Sequence, residues 1–124
     1  MSFEAETRMA GGVAIVKIAG RLVVGTDSDS LRTLLGRTFD ESSHCILLDC
    51  EGILGVDSGS LGEIVSAYTT IVRRGGAMKL LRPQVRLREM LRVTRIDTLI
   101  QTCEQESPAV ASFDVANVSK MSTT

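Results

Sequence analysis

Three short apolar runs, "VAIVKIAGRL" at 13–22, "CILLDC" at 45–50 and "AMKLLR" at 77–82, recur along this chain with a helix-period stretch between each and the next. Runs this short and this continuous suit strands covered on both faces, because a strand with one wet face alternates apolar and polar residues. Such strands, joined through helices, assemble by right-handed crossovers into a largely parallel sheet. The pattern limits the chain to an α/β fold with amphipathic helices packed on the sheet.

The stretches around these runs complete the element order. From Phe3 to Met9 the less polar residues alternate with Glu4, Glu6 and Arg8, the pattern of an edge strand with one face in water, and Gly11-Gly12 turns it back antiparallel onto 13–22. Leu31, Leu34, Leu35, Thr38 and Phe39 share one helical face behind a cap at Thr26 or Asp27, and Gly36 marks close packing on a neighbour. Leu61, Ile64, Val65, Tyr68, Ile71 and Val72 form the strongest helical pattern, which stops at "RRGG" with arginines at the negative helix end and glycine at the left-handed cap. Pro83 opens a helix carrying Val85, Leu87, Met90 and Leu91, and "TLIQTC" reads as the last strand. Ser107-Pro108 has the N-cap and N1 residue types of a final helix over 107–118, with Ala109, Val110 and Phe113 turned inward. The expectation is one domain over 1–118 built on a mixed, largely parallel sheet of four to five strands, with a frayed tail at 119–124.

A chain of 124 residues buries about two-thirds of its unfolded surface, so no metal or disulfide staple is required. The net charge of −1 and the 3% aromatic content argue against generic nucleic-acid binding and base stacking, and no helix-turn-helix or aromatic RNA motif is present. Cys45, Cys50 and Cys103 are odd in number and without CxxC spacing, which suits buried thiols in a reducing compartment. The start "MSFEAETRMAGG" has acids early and no continuous apolar core, unlike a signal peptide. The longest apolar runs are about a quarter of the ~20 residues that cross a bilayer. A cytoplasmic protein without membrane insertion is expected. Between Arg73 and Arg95 eight basic residues, among them Arg86, face one acid, Glu89; that segment is +7 and the remainder −8. It reads either as solvated helix faces or as a docking surface for an acidic partner.

The stretch "GVDSGSLGEIV" at 55–65 joins the third strand to the strongest helix, and loops after strand carboxyl ends are the usual functional positions of such sheets. Its "DSGS" resembles the "GDSGG" around the nucleophile of trypsin-like proteases. A catalytic serine needs a base within reach, and the one histidine, His44, precedes the strand whose far end carries the loop, roughly 15–20 Å away. A phosphate-binding loop would need GxxxxGK[ST] and its lysine, which are absent. Neither enzymatic activity nor a cofactor is expected. In the simplest reading Ser58 or Ser60 caps the helix beginning near Leu61 and Asp57 complements its positive end, which is compatible with a functional role.

The longer stretch "GVDSGSLGEIVSAYTTIVRRGGAMKLL" resembles the central region of STAS domains, specifically the bacterial anti-sigma factor antagonists, whose loop reads D-S-[S/T]-G-L-G before this helix, a Gly-Gly turn and a strand. "VAIVKIAGRL" is similar to the family's second strand and its G-x-L ending, "DSDSLRTLLGRTF" to its first helix, "CILLDCEGI" to its third strand, and "PQVRLREMLRVTRIDTLIQT" to its last helix and strand. The resemblance implies a STAS fold and a phosphorylation switch. A cognate anti-sigma factor, itself a serine kinase, phosphorylates the serine after the loop aspartate, here Ser58; the unmodified protein binds that factor and releases the sigma factor, and a serine phosphatase restores this state. Partner contacts are assigned to Asp57, Ser58, Gly59, Ser60, Leu61, Gly62 and Arg86, and a weak homodimer is expected as well. The chain departs from the family in two places. Gly59-Ser60 exchanges the usual hydroxyl and glycine, making Ser60 a secondary acceptor, and Val23 replaces the acid that follows G-x-L. Two alternatives remain at this level: a non-phosphorylated STAS adaptor subunit of a transporter complex, such as one moving lipid, and a small-ligand or nucleotide-binding STAS module.

Overall fold

In a computed structural model, residues 3–23 and 26–115 are described, the side chains of 26–30 excepted. Strands β1 (Phe3–Ala10) and β2 (Val13–Leu22) lead into α1 (Thr26–Glu41), followed by β3 (Cys45–Val56), α2 (Ser58–Arg73), β4 (Ala77–Leu81), α3 (Val85–Val93), β5 (Thr102–Cys103) and α4 (Glu106–Ala111). The sheet has the order β1-β2-β3-β4-β5. β1 is antiparallel to β2, and every other neighbouring pair is parallel. This is the mixed, largely parallel α/β architecture that the alternation of short apolar runs and helical stretches implies, with β3 at its centre.

Both faces of β3 are buried, as its unbroken apolar run requires, and the alternation of its side chains divides the core in two. Ile46, Leu48 and Cys50 join Leu35 of α1, Ile64 of α2 and Leu87 and Leu91 of α3 on one face. Cys45 and Leu47 meet Ala109 of α4 and Phe113 on the other. An ion pair between Arg8 and Glu106 clips α4 to β1, and the hydrogen bond from Arg8 holds the Glu106 carboxyl below its ordinary range. All three cysteines are free, Cys45 and Cys50 buried; burial pushes the Cys50 thiol up to about 12, too high for thiolate chemistry near neutrality. No helix among the described residues is long and apolar enough to cross a membrane.

The Gly75-Gly76 pair closes α2 by two separate mechanisms. Gly75 takes φ +85°, the left-handed conformation a glycine allows. Gly76 is there for space: a Cβ at that position would stand 2.5 Å from the carbonyl oxygen of His44 and 2.5 Å from the Phe39 ring. Gly36, by contrast, has nothing within 4 Å of where its Cβ would be. It marks no close packing, and the tight approach expected there lies at the α2–β4 turn instead.

Other expectations are corrected at the periphery. Phe3 is the buried residue of β1, while Ala5, Thr7 and Met9 are exposed, so both faces of this edge strand are wet along most of its length. Val72 and Val85 point to solvent rather than inward. The last strand shrinks from "TLIQTC" to two residues, because Arg95 adopts a left-handed conformation and a 3-10 turn occupies Ile96–Thr98. α4 begins at Glu106 behind an N-cap at Gln105 and ends at Ala111, so Ser107-Pro108 lies inside its first turn. The cap at Thr26 or Asp27 concerns side chains outside those described, as do positions 116–118 of the expected last helix and the 119–124 tail.

Candidate functional site

β3 outruns its neighbour on one side. β4 pairs with it only from Cys45 to Asp49, whereas β2 follows it as far as Val56. Along that shared ribbon the register shifts twice: Lys17 faces Asp49 but Ala19 faces Gly52, and Gly20 faces Ile53 but Arg21 faces Gly55. Each shift gives β3 one residue more than β2, the signature of a bulge, which bends a strand and re-aims side chains. Leu54, passed over in the second shift, is 79% exposed. The ribbon ends where the Asp57 N–H donates to the carbonyl of Leu22 at 3.3 Å, tying the serine loop to the end of β2.

Asp57 is the N-cap of α2. Its backbone is extended, with φ −95° and ψ 173°, and its Oδ1 accepts from the Ser60 N–H at 2.8 Å. The Leu61 N–H donates to the Asp57 carbonyl at 3.0 Å. The helix therefore starts at Ser58, earlier than the apolar pattern from Leu61 suggested, and neither serine is the cap. With no acidic residue in the first turn of α2, Asp57 is the carboxylate that satisfies and complements the helix start. Asp57→Ala is expected to cost about 1 kcal/mol of stability, read from the midpoint of urea unfolding.

Residues 58–62 divide by their position around the helix. Ser58 and Gly59 are exposed, as is Gly62, while Leu61 is buried. Ser60 is fully buried, and its Oγ has no hydrogen-bond partner among the described residues. Two helical residues are about 200° apart around the axis, so a helix that presents Ser58 to water turns Ser60 toward the sheet. This removes Ser60 as an accessible acceptor in the folded chain, correcting its secondary candidacy.

A groove of about 590 Å3 opens between the start of α2 and the outer side of α3. Leu61, Val85, Met90 and Val93 give it an apolar lining, and Ser58, Arg86 and Glu89 also border it. Val85 is 82% exposed and Val93 67%, although α3 buries Leu87 and Leu91 in the core. α3 thus carries two apolar stripes, one for the sheet and one left open to the groove. Val93 is not among the apolar positions expected on this helix, yet its spacing from Val85, two helical turns and a little more, is a signal of that second stripe.

The basic segment is not one continuous docking face. Arg74 pairs with Asp40, Arg82 with Asp49 and Glu51, Arg88 with Glu104 and Arg92 with Glu89, while Lys79 bonds the Ser112 carbonyl and hydroxyl. Among the described residues, Arg73, Arg86 and Arg95 make no ion pair, and of these Arg86 borders the groove. His44 stacks on Phe39 with ring centroids 4.3 Å apart, at the opposite end of a twelve-residue strand from Ser58. That strand spans roughly 35 Å, about twice the separation expected from its apolar run, and the imidazole is out of reach of the serine.

The model of the STAS domain matches residues 4–112. The chain belongs to the STAS domain family. No curated protein matches this STAS chain in sequence, but solved structures share its fold. An anti-sigma factor antagonist from Mycobacterium paratuberculosis superposes with a TM-score of 0.73 at 13% identity, over 90% of this chain and 92% of that one. The Bacillus cell fate determinant SpoIIAA in its phosphorylated form gives 0.67 at 15% identity, over 87% and 97%. The murine anion transporter Slc26a9 gives 0.69 at 17% identity, over 84% of this chain and 18% of that much longer one. The STAS fold therefore accounts for the mixed five-stranded sheet and the helices packed on it.

Proposed function

We propose that this STAS protein is an anti-sigma factor antagonist that binds a cognate anti-sigma factor with serine-kinase activity and is switched off by phosphorylation of Ser58. The observation that carries this reading is the exposed Ser58 at the first position of α2, on the border of an apolar groove, with the neighbouring Ser60 hydroxyl sealed beneath the helix. In the transfer an Oγ–P bond forms at Ser58 and the bond from the γ-phosphorus to its bridging oxygen breaks. A nucleoside diphosphate leaves, and the hydroxyl proton passes to a base on the kinase. The added group carries about −1.5 to −2 charges at a helix end whose amides favour anions, so the fold persists and the change falls on the surface.

In the unmodified state the anti-sigma factor occupies the groove and the sigma factor is released for transcription; a serine phosphatase, by hydrolysing the phosphoester, returns the protein to that state. Such partners are bacterial and cytoplasmic, and this reading puts the chain with them as a non-enzymatic binding protein. Asp57, Gly59, Leu61 and Gly62 then shape the contact around Ser58, and exposed Leu54 and Val23 extend it along the β2–β3 ribbon. Incubation with the partner kinase and ATP should add about 80 Da by intact mass, and Ser58→Ala should abolish the gain. A gain that persists in Ser58→Ala would move the switch to another residue.

The likeness to transporter STAS domains supports a second reading, an adaptor in a transporter complex in which the groove seats another subunit and Ser58 stays unmodified. The same mass measurement separates the two.

A further inference from the structure

We propose that Arg86 is the internal counter-ion of phosphorylated Ser58, so that modification draws a salt bridge over the groove and covers the apolar surface offered to the partner. The inference rests on the reading of Ser58 as the modified residue and adds how the modification acts. Ser58 lies at the start of α2 and Arg86 in the first turn of α3, and the two border the same groove. The arginines around Arg86 are committed: Arg82 to Asp49, Arg88 to Glu104 and Arg92 to Glu89. Arg86 has no such partner among the described residues, and Glu89, the acid that borders the groove, is already held by Arg92.

A guanidinium presents a planar fork of N–H donors that matches phosphate oxygens, so a dianion across the groove is its natural ligand. The pairing has two consequences for binding. The bridge spans the lining made by Leu61, Val85 and Met90, closing off apolar area that a partner would bury. It also neutralises a cation that would otherwise meet an acidic group on the partner, so the loss of a favourable contact adds to the repulsion that the phosphate creates. Phosphorylation in this scheme works by occupying the chain's own docking surface.

The test uses the full chain with phosphoserine genetically encoded at position 58, which requires no kinase. Phosphorus NMR titration should give a second phosphate pKa lower, by about half a unit or more, than in Arg86→Gln, because a nearby cation favours the dianion. The difference should shrink at high salt and be partly restored by Arg86→Lys. Arg73→Gln, at the other end of α2 and about 22 Å along the helix, should leave the titration unchanged. Methyl resonances of Val85 and Met90 should shift on phosphorylation in the parent chain and stay in place in Arg86→Gln. Equal phosphate pKa values in the parent and Arg86→Gln would overturn the proposal. A cognate kinase that leaves Ser58 unmodified would instead remove the functional reading, and the titration would still decide whether Arg86 holds a phosphate.

Discussion

Phosphorylation of Ser58, or its replacement by aspartate, is expected to weaken binding of the anti-sigma factor about a thousandfold, equivalent to ~4 kcal/mol. Spoiling one or two desolvated contacts is enough for a loss of that size, and an exposed residue beside an apolar groove is where one added charge does so. Stability should move the other way. A negative group in the first turn of a helix is worth about 0.3–1 kcal/mol, and α2 has no acid there of its own. Titration calorimetry against the partner and urea unfolding of the isolated chain should therefore give opposite signs. Aspartate and phosphoserine proteins that both bind as tightly as the unmodified chain would end the charge mechanism.

Truncating Ile64 to alanine should cost about 3–4 kcal/mol, a large part of the 5–15 kcal/mol that holds a domain of this size together. Ile64 is completely buried and fixes α2 against the strand side chains of the larger core. The expected signature is a lower urea midpoint with an unchanged m-value. The groove should be lost in the same transition, because Leu61, one turn earlier, provides both core and groove surface. A loss below about 1 kcal/mol would mean that α2 is seated by something other than this layer.

Much of the architecture was legible because periodicity and burial agree for β2, β3, α2 and β4. The misjudged details are those that several local chemistries satisfy equally. Asp57, Ser58 and Ser60 are all good cap residues; what selects Asp57 is the tie of its N–H to Leu22 and the burial of Ser60, both set by the fold. Val85 reads as a core residue because a helix with one sheet-facing side should bury its valines, and a stripe left open to a groove looks identical in sequence. The strand expected at "TLIQTC" failed because Arg95 enters the left-handed region, where a residue other than glycine gives no warning. The basic segment lost most of its apparent docking face to Asp40, Asp49 and Glu104, acids distant in the chain and adjacent in space.

The two bulges on β3 also separate direction from reach. Hydrogen bonding to β2 fixes the axis along which the chain leaves the sheet, while the surplus residues set how far it travels before α2 begins. A residue without a partner opposite can be added or removed with the pairing on either side retained, which moves the helix start by about 3.3 Å per step. Evolution thus has an adjustable stem at this junction, able to carry Ser58 nearer to or farther from the sheet while the interior stays as it is.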